Sequence, residues 1–398
     1  MILTRKQEEG LKICLQRLKD GEPYTCIAGY AGTGKSTLVS FIVAALGLDP
    51  DEDVCYVAYT GKAAKVLQQK GCSNAKTAHK LLYDAIPLPD GKYIFQKKDY
   101  LDDPYCLIIV DEVSMLPKTL WEDLLSHHIP IIALGDPEQL PPVSKDEDNG
   151  ILLHPHIFLD EIMRQAAESE IIRLSLHVRN NRSLSSFDNT KEQVQLINSK
   201  QIVTGMYDWA DQILCATNAT RNSLNQEIRK MRGMGEEPCI GDKIISLKNH
   251  WHDFSIKGFP LTNGNIGYIQ TQNSGQLFIP YYISKDKNKI ETLNISMIDE
   301  DGDIFDRIAI DYNQLKTGEP SLTDIEKYKL KKNKKLSPFV PFDFAYAYAI
   351  TVWKAQGSEW DKVMLYEEKF PFDAETHRKY LYTGLTRAAD KLVLVENN

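Results

Sequence analysis

No stretch of this 398-residue chain approaches the ~18 uninterrupted apolar residues that a membrane-spanning helix requires. The best candidate, Val39 to Leu48, is broken by Ser40 and Gly47 and runs into Asp49, so no membrane partner is expected. The opening MILTRKQEEG lacks an apolar h-region, and no secretory signal is read there. Cysteine is sparse: there are seven, an odd number, with no C-x-x-C pair. Cys26, Cys55, Cys106 and Cys215 sit inside apolar runs, where a thiol behaves as a small hydrophobe. This argues against a disulfide framework or a zinc site and for a reduced, cytosolic protein. Basic residues are also in deficit, 47 against 55 acidic, for a net charge of −8. The overall charge therefore carries no nucleic-acid footprint. Net charge governs solubility and steering, however, and a groove can still be locally basic. Internal repeats and low-complexity tracts are absent as well.

What is present is a globular composition, 42% hydrophobic and 26% charged, long enough for about two to four domains. The first half alternates strands and helices. Tyr24 to Ala28, Val54 to Tyr59, Leu107 to Val110 and Pro130 to Leu134 read as apolar strands, with helical stretches at Lys35 to Leu46 and Gly61 to Gln69. Unbroken apolar strands separated by helices predict a parallel sheet covered on both faces. Around Asp90-Gly91 the pattern breaks, and a small inserted hairpin or a surface loop is expected. Alternation returns with a strand at Gln212 to Ala216 and a helix at Thr220 to Met231. From Gly241 to about Ile310 short β-like runs with turn signals predict an all-β insert. The lysine-rich run Glu326 to Lys335, within residues 319 to 338, reads as a solvated face or linker. After Phe339 the α/β texture resumes.

Three motifs carry chemistry. Gly29-Tyr30-Ala31-Gly32-Thr33-Gly34-Lys35-Ser36 fits G-x-x-x-x-G-K-[ST] after a strand and before a helix. Its backbone amides wrap phosphates, Lys35 neutralises their oxygens, and the Ser36 hydroxyl ligates Mg²⁺. A bound nucleotide and Mg²⁺ are implied. Leu107-Ile108-Ile109-Val110-Asp111-Glu112 ends an apolar strand in two carboxylates, at the sheet edge where ligands bind. Asp111 suits the metal and Glu112 the attacking water. In Gly135-Asp136-Pro137-Glu138-Gln139, Gln139 sits on a constrained turn as a candidate γ-phosphate sensor. Arg387, in Tyr382-Thr383-Gly384-Leu385-Thr386-Arg387-Ala388, is a candidate arginine finger.

Together these blocks resemble a superfamily 1 DNA helicase of the RecD/Dda type. The likeness runs from Leu3 to Ala388 and adds Leu3 to Gln7, Gly29 to Thr37, Tyr59 to Ala64, Lys76 to His79, Glu161 to Gln165 and Ala347 to Glu359. It implies an α/β fold of two RecA-like P-loop domains with parallel sheets, a small hairpin (pin) insert and an SH3-like all-β insert. The expected boundaries are 1–160 for the first domain with the pin at about 84–103, 161–240 plus 339–398 for the second, and 241–338 for the SH3-like insert. Gly241 to Lys243 and Asn263 to Gly267 resemble turns of that insert.

The resemblance also assigns roles. Gln7 would read the base, and Gly29, Gly32, Thr33, Gly34, Lys35, Ser36, Thr37, Gly357 and Glu359 would bind nucleotide. Lys35, Asp111, Glu112, Gln139, Arg164 and Arg387 would be catalytic, with Ser36 and Asp111 on the metal. Thr60, Thr77, His79, Thr351 and Phe95 would contact DNA, with Phe95 or Tyr93 as the wedge at a fork. The family usually has His where Trp353 stands, so that Trp353 either packs or alters the coupling of DNA to ATP. The implied protein is a cytoplasmic or nucleoid-associated monomer of a bacterial or phage-infected cell. It would translocate 5′ to 3′ on single-stranded and forked DNA, with a single-strand-binding or replisome protein as a further partner. An RNA-directed helicase and a non-helicase ATP switch that binds a protein remain as alternatives.

Overall fold

The computed structural model describes residues 3–87, 93–141, 149–188, 192–248, 250–255, 260–300, 302–333, 335–369 and 371–396. The chain divides into two compact units. Met1–Tyr83, Lys97–Ala216 and Ala355–Asn398 form the first, and Asp84–Gln96 with Thr217–Lys354 the second.

The first unit contains the predicted parallel sheet. Its strands lie in the order Lys76–Thr77, Val54–Ala58, Leu107–Val110, Ile131–Gly135, Tyr24–Gly29 and Ile157–Leu159, and every neighbouring pair is parallel. Both faces are covered, as continuous apolar strands require. On one face the helix Lys35–Leu46 turns Leu38, Val39, Ile42 and Val43 onto Ile27, Ile109 and Ile132. On the other, Leu81, Leu120, Trp121 and Leu124 pack over Cys26, Cys55, Ile108 and Ala133. Cys26 and Cys55 are thus small core residues, and all seven cysteines are free thiols.

The same unit contains a second parallel sheet, in which Gln212–Cys215, Trp360–Tyr366, Ala388–Glu396 and Val194–Asn198 are neighbours in that order. The helix Ala374–Leu385 starts on an Asp373 side-chain cap (Thr376 N donating, 2.7 Å) and buries Tyr380, Leu381, Tyr382 and Leu385. Both parallel sheets fall into the first compact unit; the strands of the first all precede residue 160, and those of the second all follow it.

The second unit is built on an antiparallel sheet ordered Ile304–Asp311, Lys289–Asp299, Ile266–Phe278, Lys243–Ser246 and Phe344–Tyr346. The last strand lies beyond the expected limit at 338. Phe344-Ala345-Tyr346 is a short apolar run, and periodicity alone does not tell a parallel from an antiparallel partner. The hairpin is seen as paired strands Tyr83–Pro87 and Tyr93–Lys97, while its Asp90-Gly91 turn lies outside the described residues. The lysine run presents Lys329, Lys331 and Lys332 to solvent, as a solvated face would, but not Lys327. It is a helix, Asp324–Lys332, closed by a Thr323/Glu326 capping box. Lys327 is buried in an ion pair with Asp343, and Leu330 is fully buried. One face of a charged helix can enter a core when its cation finds a carboxylate there.

Candidate nucleotide site

The P-loop spans the turn between the Tyr24–Gly29 strand and the Lys35–Leu46 helix. Gly34 takes φ +77°, and a Cβ there would stand 2.5 Å from Gln7 Nε2; both facts demand glycine. Thr33 is buried, and its hydroxyl donates to the Tyr30 carbonyl (2.8 Å). The Lys35 ammonium lies over the loop, donating to the carbonyls of Gly29 (2.6 Å) and Tyr30 (3.1 Å). Ser36 opens the helix and is exposed, and Thr37 is half-buried. Gln7, expected on the base, is buried under the loop. Its amide donates to the carbonyls of Thr33 (3.3 Å) and Gly34 (3.2 Å), and its oxygen accepts from Thr4 N (3.0 Å) in a capping box. The physical reason is local: a Gln three residues after an N-cap Thr reaches back to close the helix end.

A cavity of about 230 Å³ opens beside the loop, lined among others by Ser36, Thr60, Asp111, Glu112, Gly357 and Arg387. The two acids follow the Leu107–Val110 strand. Asp111 accepts from Glu112 N (2.9 Å), and Glu112 sits at φ +47°, a left-handed conformation costly for a side chain with a Cβ. Burial pushes the Glu112 carboxyl above the ordinary carboxylate range; Asp111 adds to this, and Arg387 and Lys35 oppose it. Arg387 is nearly buried. It donates to the carbonyls of Thr383 (3.1 Å) and Ser358 (3.2 Å) and reaches Glu112 at 3.5 Å. Gly357, at φ +75°, leaves no room for a Cβ, which would stand 2.8 Å from the Ala63 Cβ. Glu359 pairs with Lys70 (3.1 Å) at the rim. Ser36 and Asp111 offer a hydroxyl and a carboxylate in one cavity, a hard oxygen donor pair that fits Mg²⁺ completed by phosphate and water. Among the described residues no cluster of three or more His, Cys, Asp or Glu could hold a metal unaided.

Several bonds across the site were invisible in the sequence. The buried Tyr382 hydroxyl donates to Asp136 (2.7 Å) and accepts from Ala31 N in the P-loop (2.8 Å). Burial raises the Asp136 carboxyl, and Lys35 and this hydroxyl pull it back. Leu140 donates its N–H to Thr383 Oγ1 (2.9 Å) and accepts from Gln356 Nε2 (2.8 Å). Arg378 pairs with Glu138 (3.1 Å), and Arg179 lies 3.6 Å over the Tyr30 ring. Tyr382 and Asp136 stand inside recognised blocks, but nothing in their spacing announces that they meet. The Gln139 side-chain oxygen is buried and accepts no hydrogen bond among the described residues. Such an orphan acceptor is costly enough to call for a role.

The remaining candidates are placed as follows. Thr60 and Thr77 cap the helices Gly61–Gln69 and Ala78–Leu82, accepting from Ala63 N and Lys80 N (both 3.2 Å). His79 is half-buried near the rings of Tyr59 and Tyr83, and burial holds its imidazole below the ordinary value. Arg164 opens the turn Arg164–Ala167, but its side chain lies outside the described residues, as does that of Tyr93. Phe95 and Thr351 belong to the second unit. Phe95 is 41% exposed on its hairpin strand, and Thr351 is buried at the end of the Ala349–Thr351 strand. Trp353 is half-buried.

A P-loop, a strand-end acid pair and an arginine borne by a second parallel sheet together define a nucleoside-triphosphatase of helicase type. Comparison with known proteins gives the same class. The AAA domain model matches residues 3–201, and the UvrD-like helicase C-terminal domain model matches residues 346–395. The chain is similar to the ATP-dependent DNA helicase dda of Enterobacteria phage T4, 25% identical over 97% of each chain. It is also similar to the ATP-dependent RecD2 DNA helicase of Deinococcus radiodurans, 28% identical over 93% of this chain and 46% of that one. In fold it is similar to the crystal structure of a Bacteroides Pif1 helicase in complex with ADP-AlF3 and ssDNA, with a TM-score of 0.54 and 17% identity over 100% of this chain and 93% of that one. The chain belongs to the superfamily 1 helicases of the RecD/Dda type.

Proposed function

We infer that the protein is an ATP-dependent DNA helicase that moves 5′ to 3′ along single-stranded DNA and opens forks. The observation that carries this reading is the reach of Arg387, from the second sheet, to Glu112 at the P-loop cavity of the first. The triphosphate binds along the P-loop, with Lys35 leaving the Gly29 and Tyr30 carbonyls for the β- and γ-phosphates. Ser36 and Asp111 would hold Mg²⁺, which would supply charge neutralisation at the phosphates. Glu112 takes a proton from the attacking water, and its raised carboxyl makes it a better base than an ordinary glutamate. Arg387, with Arg164, meets the charge that develops on the transferring phosphoryl group, and Gln139 offers its unpaired oxygen to the water or its amide to the γ-phosphate. The bonds of Tyr382, Thr383 and Gln356 to Asp136 and Leu140 transmit the loss of phosphate to the second sheet.

In this reading 1–160, 161–240 plus 339–398, and 241–338 act as two motor lobes and an accessory domain. The threonines Thr60, Thr77 and Thr351, with neutral His79, contact the DNA backbone, and Phe95 stacks at the junction. Contacts through hydroxyls, amides and rings need few lysines, which reconciles an acidic chain with a DNA track. The experiment is ATP hydrolysis with and without single-stranded DNA, with RNA as comparison, followed by unwinding of forks bearing opposite tails. Stimulation by DNA and opening of 5′-tailed forks are expected, with Lys35→Ala inactive. Absence of nucleic-acid stimulation would leave only an ATP switch, and preference for RNA would reassign the track. Phe95→Ala is expected to lower unwinding while sparing DNA-stimulated hydrolysis.

A further inference from the structure

In the second unit, the segment from Leu277 to Lys289 and the lysine-bearing helix Asp324–Lys332 share a small core of their own. Leu277, Ile279, Ile283, Leu322 and Leu330 are buried together in it. The aromatic neighbours of these residues turn the other way. Phe278 is 70% exposed, Tyr281 74%, Tyr282 65% and Tyr328 57%. The two segments are joined by Asn333 Nδ2 donating to the Tyr282 hydroxyl (2.6 Å), and the Lys332 ammonium lies 4.4 Å over the Tyr328 ring. The same two segments carry exposed lysines, Lys285, Lys287 and Lys289 on one and Lys329 and Lys332 on the other, against the exposed acids Asp286 and Asp324. This is a basic, aromatic surface on a chain of net charge −8.

Large exposed aromatic side chains gathered on two segments of one small core mark an interaction site, and the chemistry here selects the partner. Cations beside flat rings suit single-stranded nucleic acid, whose phosphates take the ammonium groups while its bases stack. A duplex hides its base faces, and an acidic peptide would use the lysines but leave the rings without planar partners. We propose that this module is a second single-strand contact, separate from the candidate track residues. Tyr281 and Tyr328 stack on bases there, and Lys329 and Lys332 hold phosphates. The proposal rests on the helicase reading and deepens it.

The test uses the full chain with short and long oligothymidylates. The wild type is expected to bind the long one more tightly. Tyr281→Ala with Tyr328→Ala should remove that gain, weakening long-oligonucleotide binding roughly fivefold or more per ring, with short-oligonucleotide binding and DNA-free ATP hydrolysis unchanged. Lys329→Gln with Lys332→Gln should flatten the log–log salt dependence by about 1.4. Photocrosslinking of the wild type to an iodouracil-bearing oligonucleotide should mark Tyr281 or Tyr328, a readout that no misfolded variant can confuse. Wild-type affinity and salt slope in both variants, or crosslinks that miss this module, overturn the proposal and leave the surface to a protein partner. A wild type that binds no oligonucleotide of any length would defeat the helicase reading itself.

Discussion

Each compact unit holds an arginine–carboxylate pair, and the two are built to different standards. In the β-rich unit Arg229 grips Asp242 with two bonds (2.8 and 3.1 Å). Asp242 also accepts from Cys239 N (2.7 Å) and the Tyr348 hydroxyl (3.0 Å), and Arg229 donates to the Glu237 carbonyl (2.5 Å). The side chains are 4% and 0% exposed. At the nucleotide cavity Arg387 meets Glu112 once, at 3.5 Å, and its other donors go to two backbone carbonyls and the Thr386 hydroxyl. Glu112 remains 24% exposed, on a left-handed backbone, beside an open cavity. A saturated pair holds a fold together. A loose pair held in a costly conformation keeps its charges available for something else.

The strongest way to break this contrast is to remove each arginine's contribution and read different quantities. Arg387→Ala should lower DNA-stimulated ATP turnover by about 10³- to 10⁵-fold while leaving the melting temperature almost unchanged. A loss of folding comparable to the loss of turnover would make the cavity pair structural. Next in size, Asp242→Asn should destabilise the chain by about 3–5 kcal/mol, because an amide N–H would face the guanidinium and a buried charge would go unpaired. Denaturant or thermal unfolding measures this. A variant that melts like the wild type would mean that the β-rich unit does not depend on its best-made pair.

The same contrast explains what could be read from the residues alone. The P-loop, the strand-end acids and the parallel sheet around them were legible, because phosphate binding fixes glycines, a lysine and a hydroxyl at set spacings. The roles of Thr60 and Thr77 as helix caps were legible in principle, since each precedes a helix by one residue. Gln7 likewise closes its own helix end, three residues after the Thr4 cap. The link from Tyr382 to Asp136 and Ala31 was not legible, because it joins residues remote in sequence through one phenolic hydroxyl. In the β-rich region Lys327 read as solvated, since its partner Asp343 lies across an intervening turn, and the Phe344–Tyr346 strand gave no sign of its antiparallel neighbour. Tyr382→Phe probes the invisible link. It leaves the ring packed but strips the buried Asp136 and Ala31 N–H of a partner, and should cost roughly 1–3 kcal/mol. Thermal unfolding reads the cost, and a slower ATP cycle should accompany it if the bond transmits motion between the sheets.

The smallest expected effect is the sharpest, because one chemical change, carboxylate to amide, is predicted to act with opposite sign at the two pairs. Burial raises the Glu112 carboxyl on folding, with Asp111 reinforcing it and Arg387 and Lys35 opposing it. The folded chain then holds that proton more tightly than the unfolded chain does. This favours folding below the ordinary carboxylate value, and the benefit is lost as pH rises through the folded value. At neutral pH the protein bears the cost of an ionised, partly desolvated Glu112. Glu112→Gln removes that cost and keeps an acceptor for Arg387. It should raise stability by roughly 0.5–2 kcal/mol at neutral pH, while ATP hydrolysis falls for want of a base. The gain should shrink as pH is lowered until the wild-type carboxyl is protonated as well, so melting temperatures of the two proteins should converge in acid. Asp242→Asn, destabilising at neutral pH, supplies the reference of opposite sign. If Glu112→Gln instead melts below the wild type at neutral pH, Glu112 is stabilised as an anion by Arg387, and the distinction between a pair kept for chemistry and a pair kept for the fold disappears.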